Sequence, residues 1–515
     1  MPANLAERIC AGVFAAWLLW LPLPYGSNEE FARAPLIGVP LLLCVVAALL
    51  RARDNEPMRV PNAWRIWTVG ALLFIGVVAL QLVPLPASIL RIVSPESDAI
   101  WRAADRVSAL IAARGPHDVA RPISVNPAAT LRELFRIVAL LATFQCGALL
   151  IRSSRRRVLL ASVLSVSALF QMFYGLNEAA SHRYEVWGWR NSRIFNRVTG
   201  TFVNPNHFAH YMAIIAPVAL FLAAIAWHAS AHGAPLKIRI ARLIERRAPF
   251  FAAGILTALG CLAAILVAQS RGGLLAAGTG MLAIGAMIAA RGRDRSDGGS
   301  LRHLAMYLCG GAAAGIVLVL ALVLFLGPAR TVARFRPTAG EEVTFVGRRT
   351  GIESAFGVWR RFPLFGSGLG TLADVVSMTQ KRDLSKLYNH AHDDYAEIAA
   401  TTGTLGAVIA LVAVAGGYGT LLRAALRRRG NASWNRRAFQ LAALTSLTVA
   451  LVHALFDFNF FIAANASTLA AIAGAAVPLR AVTARFEPAA ARDSESADWQ
   501  SSLERGARPH ASRRS

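Results

Sequence analysis

Between Tyr388 and Gly406 the chain reads YNHAHDDYAEIAATTGTLG, with His390, His392, Asp393, Asp394 and Glu397 set where a polar segment gives way to an apolar run from Ile398. Imidazole titrates near neutral pH, so a histidine in such a place can take the proton from an attacking hydroxyl. A charge at the centre of the hydrocarbon costs roughly 2.5 to 3.5 kcal/mol, which puts titratable groups at its edge when they must meet both a lipid-borne group and water. The other reading is a helix start, with Asn389 or His392 as the cap and Asp393, Asp394 and Glu397 favoured by the positive end of the helix dipole. That reading covers the acids but not two histidines in three residues. His390 and His392, two residues apart, would stand about 200° apart round the helix if it reached back that far, and so would point to different sides.

Three further places supply fixed positive charge or hydrogen-bonding groups. The stretch RVTGTFVNPNHFAHY, Arg197 to Tyr211, enters an apolar run and brings Arg197, Asn204, Asn206, His207 and His210 to its edge. Asn204 precedes a proline and is pushed extended, and Asn206 is a natural helix cap. Capping does not account for Arg197 and two histidines, which read as ligand contacts. Arg271, in SRGG at 270–273, has only a turn of two or three residues between two apolar runs, so its guanidinium either snorkels to the interface or meets an anion. Arg348 and Arg349 lie farther along in GRRTG. Planar guanidinium forks suit bidentate recognition of phosphate oxygens, and at a lipid boundary that anion would be a lipid-linked diphosphate. No carboxylate cluster with hard-metal spacing stands beside them, so the arginines would take the place of a divalent cation. The run PLFGSGLG at 363–370 either brings backbone N–H groups to an anion or is a flexible loop.

These groups need a frame. The chain has 515 residues, 55% of them hydrophobic and 16% charged, with a mean hydropathy of +0.47. That is too apolar for a soluble domain and predicts an all-α, polytopic membrane protein. Runs near the length of about 20 residues needed to cross a bilayer stand at 9–25, 34–50, 66–85, 132–151, 158–176, 207–227, 249–269, 272–290, 304–327, 396–421, 438–457 and 459–480, about twelve spans. The formal net charge of +25 is broken into short clusters after even-numbered spans: Arg51/Arg53/Arg59, Arg152/Arg155/Arg156/Arg157, Lys237/Arg239/Arg242/Arg246/Arg247, Arg291/Arg293/Arg295 and Arg427/Arg428/Arg429/Arg436/Arg437. This is the pattern of cytoplasmic loops, not of a nucleic-acid binder. Both termini are then cytoplasmic. The N-terminal run has no cleavage site and is expected to stay as the first span.

The outer segments 86–131, 177–206 and 328–395 are too long for plain connectors, and the large loop 328–395 is expected to carry short helices, one of them amphipathic at Val346–Trp359. Arg271 and Asp457 fall in outward turns on the same face. The expected domains are a membrane body at 1–485, with its core at about 130–475, and a disordered cytoplasmic tail at 486–515. Cys10, Cys44, Cys146, Cys261 and Cys309 all lie in apolar runs without metal-ligand spacing, and read as small buried residues.

The segments 270–273, 347–372 (GRRTGIESAFGVWRRFPLFGSGLGTL) and 388–406, with NPNH at 204–207 and DFNF at 457–460, resemble the O-antigen ligase and polymerase superfamily of bacterial envelope glycosyltransferases. In that family the large outer loop ends in a histidine, then Asn, Ser or Gln, with a glycine eleven residues after the histidine and a small residue three further on. Here His392, Gly403 and Gly406 match, while Asp393 puts a carboxylate where an amide or hydroxyl is usual. The resemblance implies a GT-C-like fold in the bacterial inner membrane with its active site facing the periplasm. It implies an undecaprenyl-diphosphate-linked glycan donor, and an acceptor that is lipid A core, another glycan or a protein, with no metal, nucleotide or other cofactor. Carried over by position, His392 activates the acceptor hydroxyl. Arg271 and Arg348 or Arg349 grip the diphosphate, and Arg197, His207 and Asp393 are further substrate contacts. The outer loops lack the bulk of a separate recognition domain, which disfavours a large protein acceptor. Two other classes remain: a secondary transporter of a small anion, whose site would lie at the bilayer midplane on interrupted helices, and a non-catalytic scaffold for envelope assembly.

Overall fold

The computed structural model describes residues 3–53, 58–112, 119–181, 183, 185–190, 197–230, 235–292, 339–380, 388–427 and 434–481. The expected span at 304–327, Cys309, most of Arg291–Arg295, Arg428 and Arg429, the ends 328–338 and 381–387 of the large loop, and the tail 486–515 fall outside these. The helices are α1 Ala3–Trp20, α2 Arg33–Arg53, α3 Asn62–Leu80, α4 Ala87–Val93, α5 Pro95–Ala112, α6 Pro127–Leu150, α7 Ser154–Ser181, α8 Pro205–Ser230, α9 Leu236–Val267, α10 Arg271–Gly292, α11 Ala339–Arg361, α12 Leu372–Val375, α13 Asp394–Leu426, α14 Trp434–His453 and α15 Ala463–Ala476. Among the described residues, strand is confined to two short antiparallel pairs, β1 (Met58–Arg59) with β4 (Arg480–Ala481) and β2 (Glu185–Val186) with β3 (Trp189–Arg190). The chain is an all-α polytopic membrane protein. Eight described helical stretches are long and apolar enough to cross a membrane: 30–53, 62–80, 127–150, 154–181, 205–230, 248–267, 271–288 and 394–426. The run expected as a last span, 459–480, is a helix of only 14 residues, because Asp457–Ile462 is spent on a turn and a 3-10 segment.

Helix α8 is apolar on all sides, the pattern of a helix with no face left for water or lipid. It is accordingly the centre of the bundle: 83% of its apolar window is buried, with α7, α9, α10, α14 and α15 against it. Outside this ring α2 packs on α6, and α3 packs on α6 and α13. The outer helices turn Leu42, Leu72, Leu282 and Leu411 away from the protein, which is where lipid requires apolar side chains.

Polar groups collect at the two ends of the bundle. At one end Glu7 holds Arg51, Arg152 and Arg156. At the other meet the turns 81–86, 121–126, 197–206, 268–271, 362–371, 388–394 and 454–462. Gln81, just past α3, donates to the Phe365 and Thr401 carbonyls at 2.5 and 2.8 Å and accepts from the Leu369 N–H at 3.0 Å.

The glycine-rich run 363–370 is tied down rather than loose: Gly366 donates to the Phe362 carbonyl, Ser367 to Ala400, Gly368 to Thr401 and Leu369 to the Gln81 side chain. The Ala400 and Thr401 carbonyls are free to accept because α13 is kinked at Gly403, where φ is +66° and ψ −174°. The kink also releases the N–H groups of Thr404 and Leu405, which donate to Pro363 and Leu364 at 2.8 and 3.2 Å. A Cβ on Gly403 would run into the Leu364 carbonyl. The family glycine eleven residues after His392 is therefore the point where loop and helix are stitched. The predicted amphipathic segment 346–359 is helical within α11; its Thr350, Ser354, Ala355 and Val358 are buried, the last two in the apolar cluster with Tyr388, Ala391 and Ala396.

Candidate functional site

Asp393, not Asn389 or His392, caps α13: its side chain accepts from the Ala396 N–H at 2.9 Å. Burial holds this carboxyl above its ordinary range, against the Ala396 and Tyr395 N–H groups that favour its charge. Since the helix begins at Asp394, both histidines precede it on the loop, and the 200° separation expected of His390 does not arise. They flank one ring instead. His390 stacks on Phe458 with centroids 4.0 Å apart and planes at 12°, while His392 meets the same ring edge-on at 5.2 Å.

Each imidazole has its own carboxylate. His390 Nδ1 lies 2.8 Å from Glu397 Oε1, and the other oxygen of Glu397 accepts the Ala391 N–H at 2.9 Å. His392 Nδ1 lies 3.3 Å from Asp457 Oδ1. The two carboxylates are buried, but the side chains of His390 and His392 keep 30% and 32% of their surface. Nδ1 of each ring is turned to its carboxylate. His392 sits at φ +56°, a left-handed conformation that a non-glycine residue holds only when its surroundings insist. Here those are the Glu397 strap on one side and Asp457 on the other.

Asp457 is the hub. Its Oδ2 accepts from Asn206 Nδ2 at 2.9 Å, its Oδ1 accepts from the Phe458 N–H at 3.0 Å, and His207 Nε2 lies 3.7 Å from Oδ1. Burial pushes the Asp457 carboxyl up, but His207 and His392 outweigh it and hold the group well below the usual carboxylate range. For His390, burial lowers the affinity for a proton, and the Glu397 charge and hydrogen bond more than restore it. Behind them His210 and His453 meet Nδ1 to Nδ1 at 3.0 Å, so one must donate and the other accept.

Cap duty on α8 falls to Asn204, whose side chain accepts the Asn206 N–H at 2.8 Å. This leaves Asn206 to bridge Asp457 and Arg197, the latter at 3.4 Å. Arg197 donates to the carbonyls of Ala268 and Gln269 at 3.0 and 2.9 Å, and so holds the turn before Arg271. Arg271 is exposed at the head of α10, and the neighbouring Gly272 lies against the His453 ring. The two loop arginines part company: Arg348 is half-buried, whereas Arg349 points outward and pairs with Glu353 at 2.7 Å. His207 is buried, edge-on to Phe458 at 4.7 Å, so it backs Asp457 rather than lining the open side.

The candidate residues thus gather on one end of the bundle, with His390 and His392 on the Phe458 ring and Arg197 fixing the turn before Arg271. The partnerships His392–Asp457 and His210–His453 join residues 65 and 243 apart, and no sequence spacing announces them. The partnership of His390 with Glu397 spans seven residues, and its signal was the HAHDDYAE spacing, which can equally be read as a charged helix start.

Residues 256–411 match the family model described as O-Antigen ligase. The chain carries an O-antigen ligase domain. The matched stretch runs from α9 into α13 and includes Arg271, Arg348, Arg349, His390, His392, Gly403 and Gly406, and it bears out the resemblance read from those residues. In general terms the O-antigen ligase domain is that of a glycosyltransferase of the ligase or polymerase type. Asp457, Asn206 and Arg197 lie outside the match and join the site only through the fold. No curated protein matches the chain at a significant level.

Proposed function

We propose that this O-antigen ligase-type protein sits in a bacterial inner membrane and moves a saccharide from an undecaprenyl-diphosphate-linked donor to an acceptor hydroxyl on the periplasmic face, without a metal and with inversion at the anomeric carbon. The observation that carries this reading is the part-exposed His392 backed through Nδ1 by the buried Asp457. With Nδ1–H donated to that carboxylate, Nε2 is the free base, and the acceptor hydroxyl gives up its proton there as its oxygen attacks the anomeric carbon. The bond from that carbon to the diphosphate oxygen breaks, and its electron pair leaves with the diphosphate. Asp457 stabilises the imidazolium that forms. Arg271 and Arg348 offset the charge on the leaving group, and Arg197 supports them by fixing the 268–271 turn. Gathering of these groups at one end of the bundle, away from the midplane, favours a lipid-boundary reaction over ion-coupled transport.

The test is purified protein assayed with a lipid-linked donor. His392→Ala should fold and bind donor as the parent does, and transfer roughly 10² to 10⁴-fold more slowly. Dialysis against a chelator should leave the parental rate unchanged. A His392→Ala protein that transfers at the parental rate sinks the assignment. The acceptor is read from cells lacking the gene: lipid-linked long chains accumulate if the acceptor is lipid A core, and single repeat units if it is another repeat.

A further inference from the structure

Helices α4 and α5 leave the end of the membrane-crossing α3 through the turn at residues 81–86. Helix α5 carries Glu96, Asp98, Arg102, Asp105 and Arg106, too many charges for a span. Its protein-facing side is defined by contacts. Ser97 Oγ donates to the Ile123 carbonyl at 2.7 Å and Trp101 Nε1 to the Pro122 carbonyl at 3.0 Å, while Asp105 pairs with Arg121. The opposite side is an apolar stripe of Ala103, Val107, Leu110 and Ile111, at the i, i+4, i+7, i+8 spacing of one helix face. Leu110 and Ile111 are 84% and 82% exposed and Ile92, at the end of α4, is 82% exposed, against 54% for the outward-facing Leu72 of α3. Arg91 and Arg102 share the single carboxylate of Asp98, at 3.5 and 2.8 Å, and Arg106 stands one turn beyond Arg102.

We propose that the α4–α5 pair lies in the headgroup layer of the membrane on the His392 side, with its stripe against acyl chains and Arg91, Arg102 and Arg106 against lipid phosphates. Two observations select a phospholipid surface as the occupant. The pair follows directly on the membrane-crossing α3 through the turn 81–86, and cations border its stripe where phosphate is the anion at hand. Long arginine stems let the charge reach the phosphates while the stripe turns toward the acyl chains. The pair is not isolated from the site. Glu96 pairs with Arg361 of α11 at 3.0 Å, and Ile100 packs against the cluster of Val358, Tyr388, Ala391 and Ala396. Docking therefore sets the height of the His392 loop above the headgroups; that consequence rests on the proposed transfer reaction, while the docking does not.

The experiment places an environment-sensitive fluorophore on Leu110→Cys and, separately, on Ser108→Cys, about 200° round the helix. The full chain is reconstituted in vesicles of phosphatidylethanolamine and phosphatidylglycerol, and the parental chain taken through the same labelling controls for native cysteines. The label at 110 should emit to the blue and be quenched by a nitroxide carried high on the acyl chain, and the label at 108 should be quenched by aqueous iodide. Equal iodide quenching at both positions overturns the proposal. So does a label at 110 that is shielded from iodide but untouched by the nitroxide, since a second protein copy would then cover the stripe. His392→Ala chains should give the same signals whether or not they transfer glycan, so the docking and the reaction fail separately.

Discussion

Arg348 and Arg349 are adjacent in the chain, yet only the first is half-buried; a helix turns about 100° per residue, and Arg349 is carried round to Glu353. Arg271→Lys and Arg348→Lys should each lose roughly 1.5 to 3 kcal/mol of transition-state stabilisation, because an ammonium cannot reproduce the bidentate fork. Arg349→Lys should turn over at the parental rate. Full activity in both of the first two variants would make those arginines interfacial anchors. His390 offers a second residue-scale test. Its proton affinity is raised by Glu397 against the effect of burial, so the stability it contributes is complete below the ordinary imidazole value of about 6.5 and is lost as pH rises through the raised one. Thermal unfolding measured across that window should therefore show an alkaline fall in the parent that is absent from His390→Gln. An identical profile in the two would remove the Glu397 pair as its cause.

At the scale of elements, the site depends on a helix that is broken where the loop must be held. Gly403 has a backbone conformation open almost only to glycine, and a side chain there meets the Leu364 carbonyl. Gly403→Ala should destabilise the protein by about 1 to 3 kcal/mol. Gly419→Ala, with nothing within 4 Å of the added methyl, should be neutral or stabilising. Melting curves of the two variants side by side decide this, and a Gly403→Ala protein as stable as the parent would show that the stitch to 363–370 is dispensable. The turn after α14 is pinned in a comparable way. Arg136 donates to the Phe460 carbonyl at 2.8 Å and is held by Glu133, while the Phe460 N–H goes to Asp394 at 3.2 Å. Asp457 and Phe458 sit inside that turn, which is how one aromatic ring comes to carry three histidines.

Taken whole, the molecule separates two kinds of polar end. One gathers the histidines and Asp457 with Arg197 and Asn206; the other gathers Glu7 with Arg51, Arg152 and Arg156. The arginine-rich end is expected to face the cytoplasm. Cysteines placed at Arg427 and at His392 test that directly in intact cells: a membrane-impermeant reagent should reach the second and not the first, and the reverse labelling would invert the topology.

Membrane class, most helix positions and the chemistry-bearing stretches could all be read from composition, run length and local spacing, because lipid forces each spanning segment to satisfy its own backbone and so writes it locally into the sequence. The histidine motif and the arginines of GRRTG and SRGG were legible for the same reason, each being a short contiguous pattern. Partners were not. Asp457 reaches His392 from 65 residues away, Asn206 leaves its expected cap to join them, and Arg197 spends its donors on the carbonyls before Arg271. Such pairings depend on which turns of separate helices come level when the bundle closes around α8, and periodicity within any one helix carries no information about that.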